Sequence, residues 1–201
     1  MRIGIIVGSH RPESNSKRAG SLVEQRLTTL GHEAELVSLA GNPLPLWDES
    51  AWDATSSLSA AWKPYGARLT ACQGFVVISP EWSGMVPAGL KNFFLFCSTR
   101  DVGHKPALIV GVSSTRGGAY PVAELRISSY KNTRLCYIPE HVIIRDADHI
   151  LGTGPESQSE DAKYIRRRLD AAVALLASYA EALRNLRHLD VFSLKDFPFG
   201  M

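Results

Sequence analysis

Short β-branched runs alternate along the chain with longer stretches in which apolar residues return every three or four positions. The runs lie at residues 2–8, 33–38, 74–79, 106–113 and within 136–145. Three of them, IGIIV, FVVI and ALIVGV, are apolar on consecutive positions rather than on alternate ones. A strand covered on both faces has no solvent side to keep polar, so these runs predict the interior of a parallel sheet. Helical spacing between the runs predicts helices over 16–30, 64–72, 88–97, 119–131 and 161–186. The last places Ile165, Leu169, Ala172, Val173, Leu176, Ala180 and Leu183 on one stripe, which lets it lie across the sheet. Five strands and five helices in strict alternation predict an α/β three-layer sandwich, a five-stranded parallel sheet with helices on both faces. Ligands of such a sheet bind at the carboxyl ends of its strands.

Composition narrows the picture. A chain of 201 residues with 45% hydrophobic content suits one domain spanning 1–201, with 186–201 as a tail. The formal net charge is +2. The basic runs Arg166-Arg167-Arg168 and Lys17-Arg18 are short, as solvated helix faces are, so neither nucleic acid nor a membrane is an expected partner. Cys72, Cys97 and Cys136 are far apart and odd in number, the pattern of reduced thiols in a cytoplasmic protein. No segment approaches the about 20 apolar residues of a membrane span, and the N-terminal apolar run is too short for a signal-peptide core. Two irregular segments carry aromatics: 41–57, with Trp47 and Trp52, and the tail, with Phe192, Phe197 and Phe199. Each is a surface loop packed by its own rings or a contact with another subunit.

Three loops at predicted strand ends hold the candidate chemistry. The first, GSHRPESNSKRAG at 8–20, leads from a strand into a helix whose N-terminal N–H groups and dipole favour an anion. Ser9, Ser14 and Ser16 add hydroxyls and Arg11 adds a charge, a set suited to a phosphomonoester. The same residues also suit a plain turn in which Ser14 or Ser16 caps the helix. Neither the GxGxxG nor the GxxxxGK[ST] phosphate loop is present. The second loop, SPEWSGMVPAGLKNFFLF at 79–96, is stiffened by Pro80, Gly84 and Pro87, with Pro87 and Ala88 near the start of a helix. It offers Trp82 and backbone amides to a flat ring, unless Trp82 packs inward. In the third, VSSTRGGAYPVAELR at 112–126, Ser113, Ser114 and Thr115 supply hydroxyls and Gly117-Gly118 lets the backbone approach a ligand closely. Convergence of all three on one sheet edge makes coincidental turns the weaker account.

Taken in order, these loops resemble the NADPH-dependent FMN reductase family of the flavodoxin-like fold. The resemblance rests on GSHRPESNSKRA, on SPEWSGMVPAGLKNFF, where the family typically has PEYN-G-PG-LKN, and on the serine and double-glycine loop at 113–118. It covers about the first 135 residues. It implies FMN as cofactor and NADPH or NADH as co-substrate, with the cofactor rather than a protein nucleophile or metal carrying the chemistry. Ser9, Arg11, Ser14 and Ser16, with the backbone of Asn15, are implied at the FMN phosphate. Pro80, Glu81, Trp82, Ser83 and Gly84 are implied along one side of the ring, and Ser114, Gly117 and Gly118 along the other. Trp82 and Ser83 depart from the family's tyrosine and asparagine. The implied activity is hydride transfer from NAD(P)H to FMN and on to a small-molecule electron acceptor such as a quinone, an azo compound or free flavin. A homodimer or homotetramer is implied as well.

Remaining polar residues add little. Glu81 reads as structural rather than as an acid. His10 and His104 read as surface residues, and His141 and His149 lack the spacing and third ligand of a metal site. Arg11 and Arg116 suit the extra phosphate of NADPH, the flavin, or water. The alternatives to an enzyme are a flavodoxin-like electron carrier and a regulatory FMN-binding module. Carriers tend to be strongly acidic for docking, and this chain is slightly basic.

Overall fold

A computed structural model describes residues 1–186; the aromatic tail with Phe192, Phe197 and Phe199 lies outside them. Five strands, β1 (Arg2–Val7), β2 (Glu33–Ser38), β3 (Gly74–Pro80), β4 (Pro106–Val112) and β5 (Cys136–Ile144), form one sheet in the order β2-β1-β3-β4-β5. Every neighbouring pair is parallel. This is the flavodoxin-like winding, in which the strand order reverses between β1 and β3. The three uniformly apolar runs are the three inner strands. β4 is buried along its whole length, β3 over all but Pro80 and β1 over all but Arg2.

Helices cover both faces. α1 (Asn15–Thr29) and α7 (Glu160–Ala182) bury Val23, Leu27, Leu169, Val173 and Leu176 against Ile3, Ile5, Val76 and Leu108. On the opposite face α2 (Ser57–Thr70), α3 (Ala88–Phe96) and α5 (Ala119–Ile127) close over Ile6, Phe75, Val77 and Ile109. Of the stripe expected on the last helix, Leu169, Ala172, Val173, Leu176 and Ala180 are buried and Ile165 packs half-buried, with Ala162 and Ala177 added; the helix ends at Ala182 rather than near 186, so Leu183 is its cap residue.

Several elements depart from the strict alternation. The second helix begins at Ser57 rather than Pro64, because the Ser56 hydroxyl caps it by accepting from Ser59 N–H at 3.0 Å. Pro64 therefore sits inside α2, where it lacks the N–H that the Ala60 carbonyl expects. α5 stops at Ile127, four residues early, where Ser129 turns to a φ of 60°. Two short helices, α4 (Thr99–Val102) and α6 (Ala147–Ile150), and two 3-10 turns, Glu49–Trp52 and Pro155–Gln158, fall in segments read as connections. Pro87 occupies the cap position of α3, one residue before its first turn.

Replacing Pro64 by Ala restores the missing donor at the cost of a freer unfolded chain. The balance is a gain of about 1 to 2 kcal/mol, to be read as a higher denaturant midpoint with unchanged m-value. A midpoint at or below that of the wild type contradicts the placement of Pro64 within α2.

Candidate functional site

Parallel strands deliver their carboxyl ends to one edge. There the loops after β1, β3 and β4 meet around a cleft of about 350 Å³, within the size range of small-molecule sites.

The first loop leaves β1 tightly against its neighbour. Gly8 N–H donates to the Ile78 carbonyl at 2.8 Å, and a Cβ on Gly8 would stand 2.7 Å from Leu90 Cδ2 and 2.8 Å from that carbonyl. Beyond it, Ser9 is buried and its Oγ accepts from Arg11 N–H at 3.3 Å. Ser14 caps α1 by accepting from Lys17 N–H at 3.1 Å, a bond that leaves the hydroxyl proton unused. It is both a cap and a cleft residue. Ser16 is 1% exposed and lines the cleft, yet its Oγ has no hydrogen-bond partner. An orphaned buried hydroxyl costs about 1 to 3 kcal/mol. Around it the first turn of α1 carries no acidic residue, so the positive end of the helix stays uncompensated by its own side chains.

The second loop is a two-residue hairpin. Trp82 and Met85 exchange backbone hydrogen bonds at 3.1 and 2.9 Å across Ser83 (φ 50°) and Gly84 (φ 72°). Positive φ at both central positions is the type I′ geometry, for which asparagine or aspartate followed by glycine is the favoured pair. Ser83 holds that position without asparagine's tolerance of it. Trp82 faces the cleft at 38% exposure with its ring 4.5 Å from that of His10, tilted by 48°. His10 is thereby a brace for the wall rather than a bystander.

Glu81 fastens the second loop to the third. Its Oε2 accepts from Gly118 N–H at 2.6 Å, and a Cβ on Gly117 would stand 2.5 Å from its Oε1. Gly118 has a φ of 99°, and its carbonyl lies 2.3 Å from where a Gly111 Cβ would be. The second loop is further held by Val86 N–H, which donates to Glu124 at 2.7 Å. Glu81 is thus structural, as its place in the loop suggests.

The third loop is tied to the first through α6. Asn15 Nδ2 donates to Asp148 Oδ1 at 2.9 Å and to Ser114 Oγ at 3.4 Å, while Arg18 donates to Asn15 Oδ1 at 3.0 Å. The Asn15 amide, more than any other neighbour, holds the Asp148 carboxyl below its ordinary range. A depressed carboxyl contributes stability above its unfolded pKa, so this tie is intact at neutral pH and is lost as the pH falls through the lowered value.

Of the residues expected at the site, Ser9, Arg11, Ser14, Asn15 and Ser16 line the cleft from the first loop, Pro80, Glu81 and Trp82 from the second, and Ser114 from the third. Ser83, Gly84, Gly117 and Gly118 do not line it; they set the backbone of the loops that do. Val112, Ser113 and Thr115 complete the wall. Asp148 carries no signal in the sequence, because it lies 133 positions from Asn15 with no motif around it. Burial raises Cys72 to about 11, Cys97 well above its ordinary value and Cys136 above its own, and no group of three potential metal ligands is present among the described residues.

Residues 1–149 match the family model described as NADPH-dependent FMN reductase. A 2-hydroxy-1,4-benzoquinone reductase from a Burkholderia species is 26% identical over 180 residues, covering 87% of this chain and 95% of the relative. Among solved structures, a flavoenzyme NAD(P)H:(acceptor) oxidoreductase from Paracoccus denitrificans superposes with a TM-score of 0.67 at 19% identity, over 89% of this chain and 98% of that one. An oxidoreductase from Corynebacterium diphtheriae superposes with a TM-score of 0.64 at 17% identity, over 90% and 97%. At such identities the structures speak to the fold.

The hairpin geometry yields a test of its own. Asparagine at 83 relieves the left-handed backbone and is expected to stabilise the protein by about 0.5 to 1 kcal/mol, whereas valine there costs more than about 1 kcal/mol. Chemical denaturation of Ser83→Asn and Ser83→Val checks both signs. Equal midpoints for the two contradict the turn.

Proposed function

The chain belongs to the NADPH-dependent FMN reductase family, which uses FMN and NAD(P)H, and we propose that it binds FMN in the three-loop cleft and reduces a small quinone. The carrying observation is the buried, unpartnered Ser16 hydroxyl at the start of α1, aligned with a helix end that carries no acid of its own. A phosphate oxygen satisfies both at once. In this reading Ser9, Arg11, Ser14 and Ser16, with the backbone N–H of Asn15, hold the phosphate. Pro80, Glu81, Trp82, Ser83 and Gly84 border one side of the ring, and Ser114, Gly117 and Gly118 the other.

When bound, FMN supplies the hydride relay from nicotinamide to acceptor. The chain's own part is position and electrostatics. Trp82, braced by His10, walls the cleft against water; the N–H groups of Glu81, Trp82, Thr115 and Gly118 are committed within the loops, which leaves those of 83–84 and 116–117 for charge that develops on the ring. Glu81 keeps those two segments in register by holding Gly118. A quinone as acceptor is supported by the Burkholderia relative. NADPH and NADH both remain co-substrates of the proposal, and its compartment is the cytoplasm, consistent with three free cysteines. No helix among the described residues is long and apolar enough to cross a membrane.

A homodimer is part of the same proposal. Met85, Leu95, Tyr120 and Ile127 leave large apolar surface on the α3–α5 side, where Lys91 and Glu124 join the two helices. This surface adjoins the hairpin that holds Trp82, so a second copy there closes the open end of the cleft. The segment 41–57 also keeps Leu46 and Trp52 exposed. Light scattering is expected to return twice the 22.0 kDa chain mass or a multiple of it, and Ile127→Glu is expected to lower it. A wild-type monomer removes this part of the reading.

Ser16→Ala tests the site through opposite signs. Deleting an orphaned hydroxyl is expected to stabilise the protein without FMN by about 1 kcal/mol and to weaken FMN binding about tenfold. Thermal unfolding and flavin-fluorescence titration read the two effects. Unchanged FMN affinity contradicts the phosphate site. Bleaching of the bound flavin by NADPH under anaerobic conditions, followed by reoxidation on adding 1,4-benzoquinone, supports the reaction; a flavin that stays oxidised contradicts it.

A further inference from the structure

Asp148 stands outside the cleft but grips Asn15, which lines it. Its Oδ1 accepts from Asn15 Nδ2 at 2.9 Å, and the same amide donates to Ser114 Oγ at 3.4 Å. Asn15 is the first residue of α1, and Ser114 belongs to the loop after β4. The carboxylate is itself anchored through backbone. Asp146 N–H donates to the Thr115 carbonyl at 2.8 Å and Ala147 N–H to the Ser113 carbonyl at 3.0 Å, so α6 moves with the third loop.

This arrangement is unusual for an anion site. The first turn of α1 carries no acid of its own, yet α6 brings one to its first residue from across the cleft. Arg18, which donates to Asn15 Oδ1 at 3.0 Å, and His149, whose Nδ1 lies 2.9 Å from both Asp146 carboxylate oxygens, offset the Asp148 charge in part without a hydrogen bond to it. A neutral side chain of the same shape would keep the bridge and spare the phosphate a like charge. An aspartate that serves the bridge alone therefore carries an electrostatic cost at the place where the cofactor's dianion is expected.

We infer that Asp148 is a specificity-determining residue for the flavin: its hydrogen bond to Asn15 fixes the mouth of the cleft, and its charge sets how much more tightly the site holds FMN than the same ring without a phosphate. The inference rests on the phosphate site proposed above.

The test compares FMN with riboflavin, which has the same ring and no phosphate, by fluorescence titration of wild type, Asp148→Asn and Asp148→Ala. Asparagine retains an acceptor for the Asn15 amide and loses the charge. Asp148→Asn is expected to bind FMN about fivefold more tightly at low salt, the size of effect expected of one exposed unit charge near a dianion, with the gain shrinking as salt is added. Its riboflavin affinity is expected to match that of the wild type, and its FMN dissociation rate to fall in proportion. Asp148→Ala, which breaks the bridge, is expected to bind both flavins more weakly. A wild type that prefers FMN to riboflavin, with the same preference in Asp148→Asn, overturns the role of Asp148 and leaves the phosphate site standing. A wild type and an Asp148→Asn variant that both bind the two flavins equally remove the phosphate site, and this inference with it.

Discussion

A parallel sheet buried on both faces has only one place to keep polar groups, which is the edges where its strands end. β3 and β4 are apolar almost throughout, so no polar side chain can be presented from the middle of the sheet. Right-handed crossovers send each following helix back along the sheet, and the carboxyl ends of all the strands gather on one side. Every feature of the cleft follows from that crowding: hydroxyls and amides are concentrated there because the rest of the sheet excludes them.

Crowding also demands backbone that ordinary side chains would obstruct. Gly8 leaves β1 within contact distance of β3, and Gly111 and Gly118 bring β4 and its loop together. Loops so closely spaced need fasteners, and the chain uses acidic side chains as acceptors for backbone N–H groups: Glu81 for Gly118 and Glu124 for Val86. Asp148 uses the Asn15 amide in the same manner. Of these three carboxylates Glu81 lines the cleft, and the other two hold its loops from outside it. Arg11 is left as the basic side chain among its lining residues.

Much of this was legible in the amino-acid order, for physical reasons that vary with position. Inner strands betray themselves because burial on both faces removes polar alternation, and the loops at 8–20, 79–96 and 112–126 stand out because hydroxyls and glycines follow apolar runs. Local signals mislead where tertiary context overrides them. Pro64 reads as a helix start, yet the capping bond of Ser56 extends α2 seven residues upstream and packing tolerates the proline. The strain at Ser83 was hidden because a left-handed backbone can be seen only once Trp82 and Met85 pair. Asp148 was hidden for a different reason: a contact across 133 positions has no local pattern to announce it.

Whether the cleft at the start of α1 is built for a flavin phosphate is the claim on which the account turns. A crystal structure of the protein grown with FMN tests it most directly. The account predicts a phosphate within hydrogen-bond distance of Ser16 Oγ and of the Asn15 and Ser16 N–H groups, with the ring lying beside Trp82. A phosphate bound elsewhere, or a Ser16 hydroxyl still without a partner beside bound flavin, would contradict it.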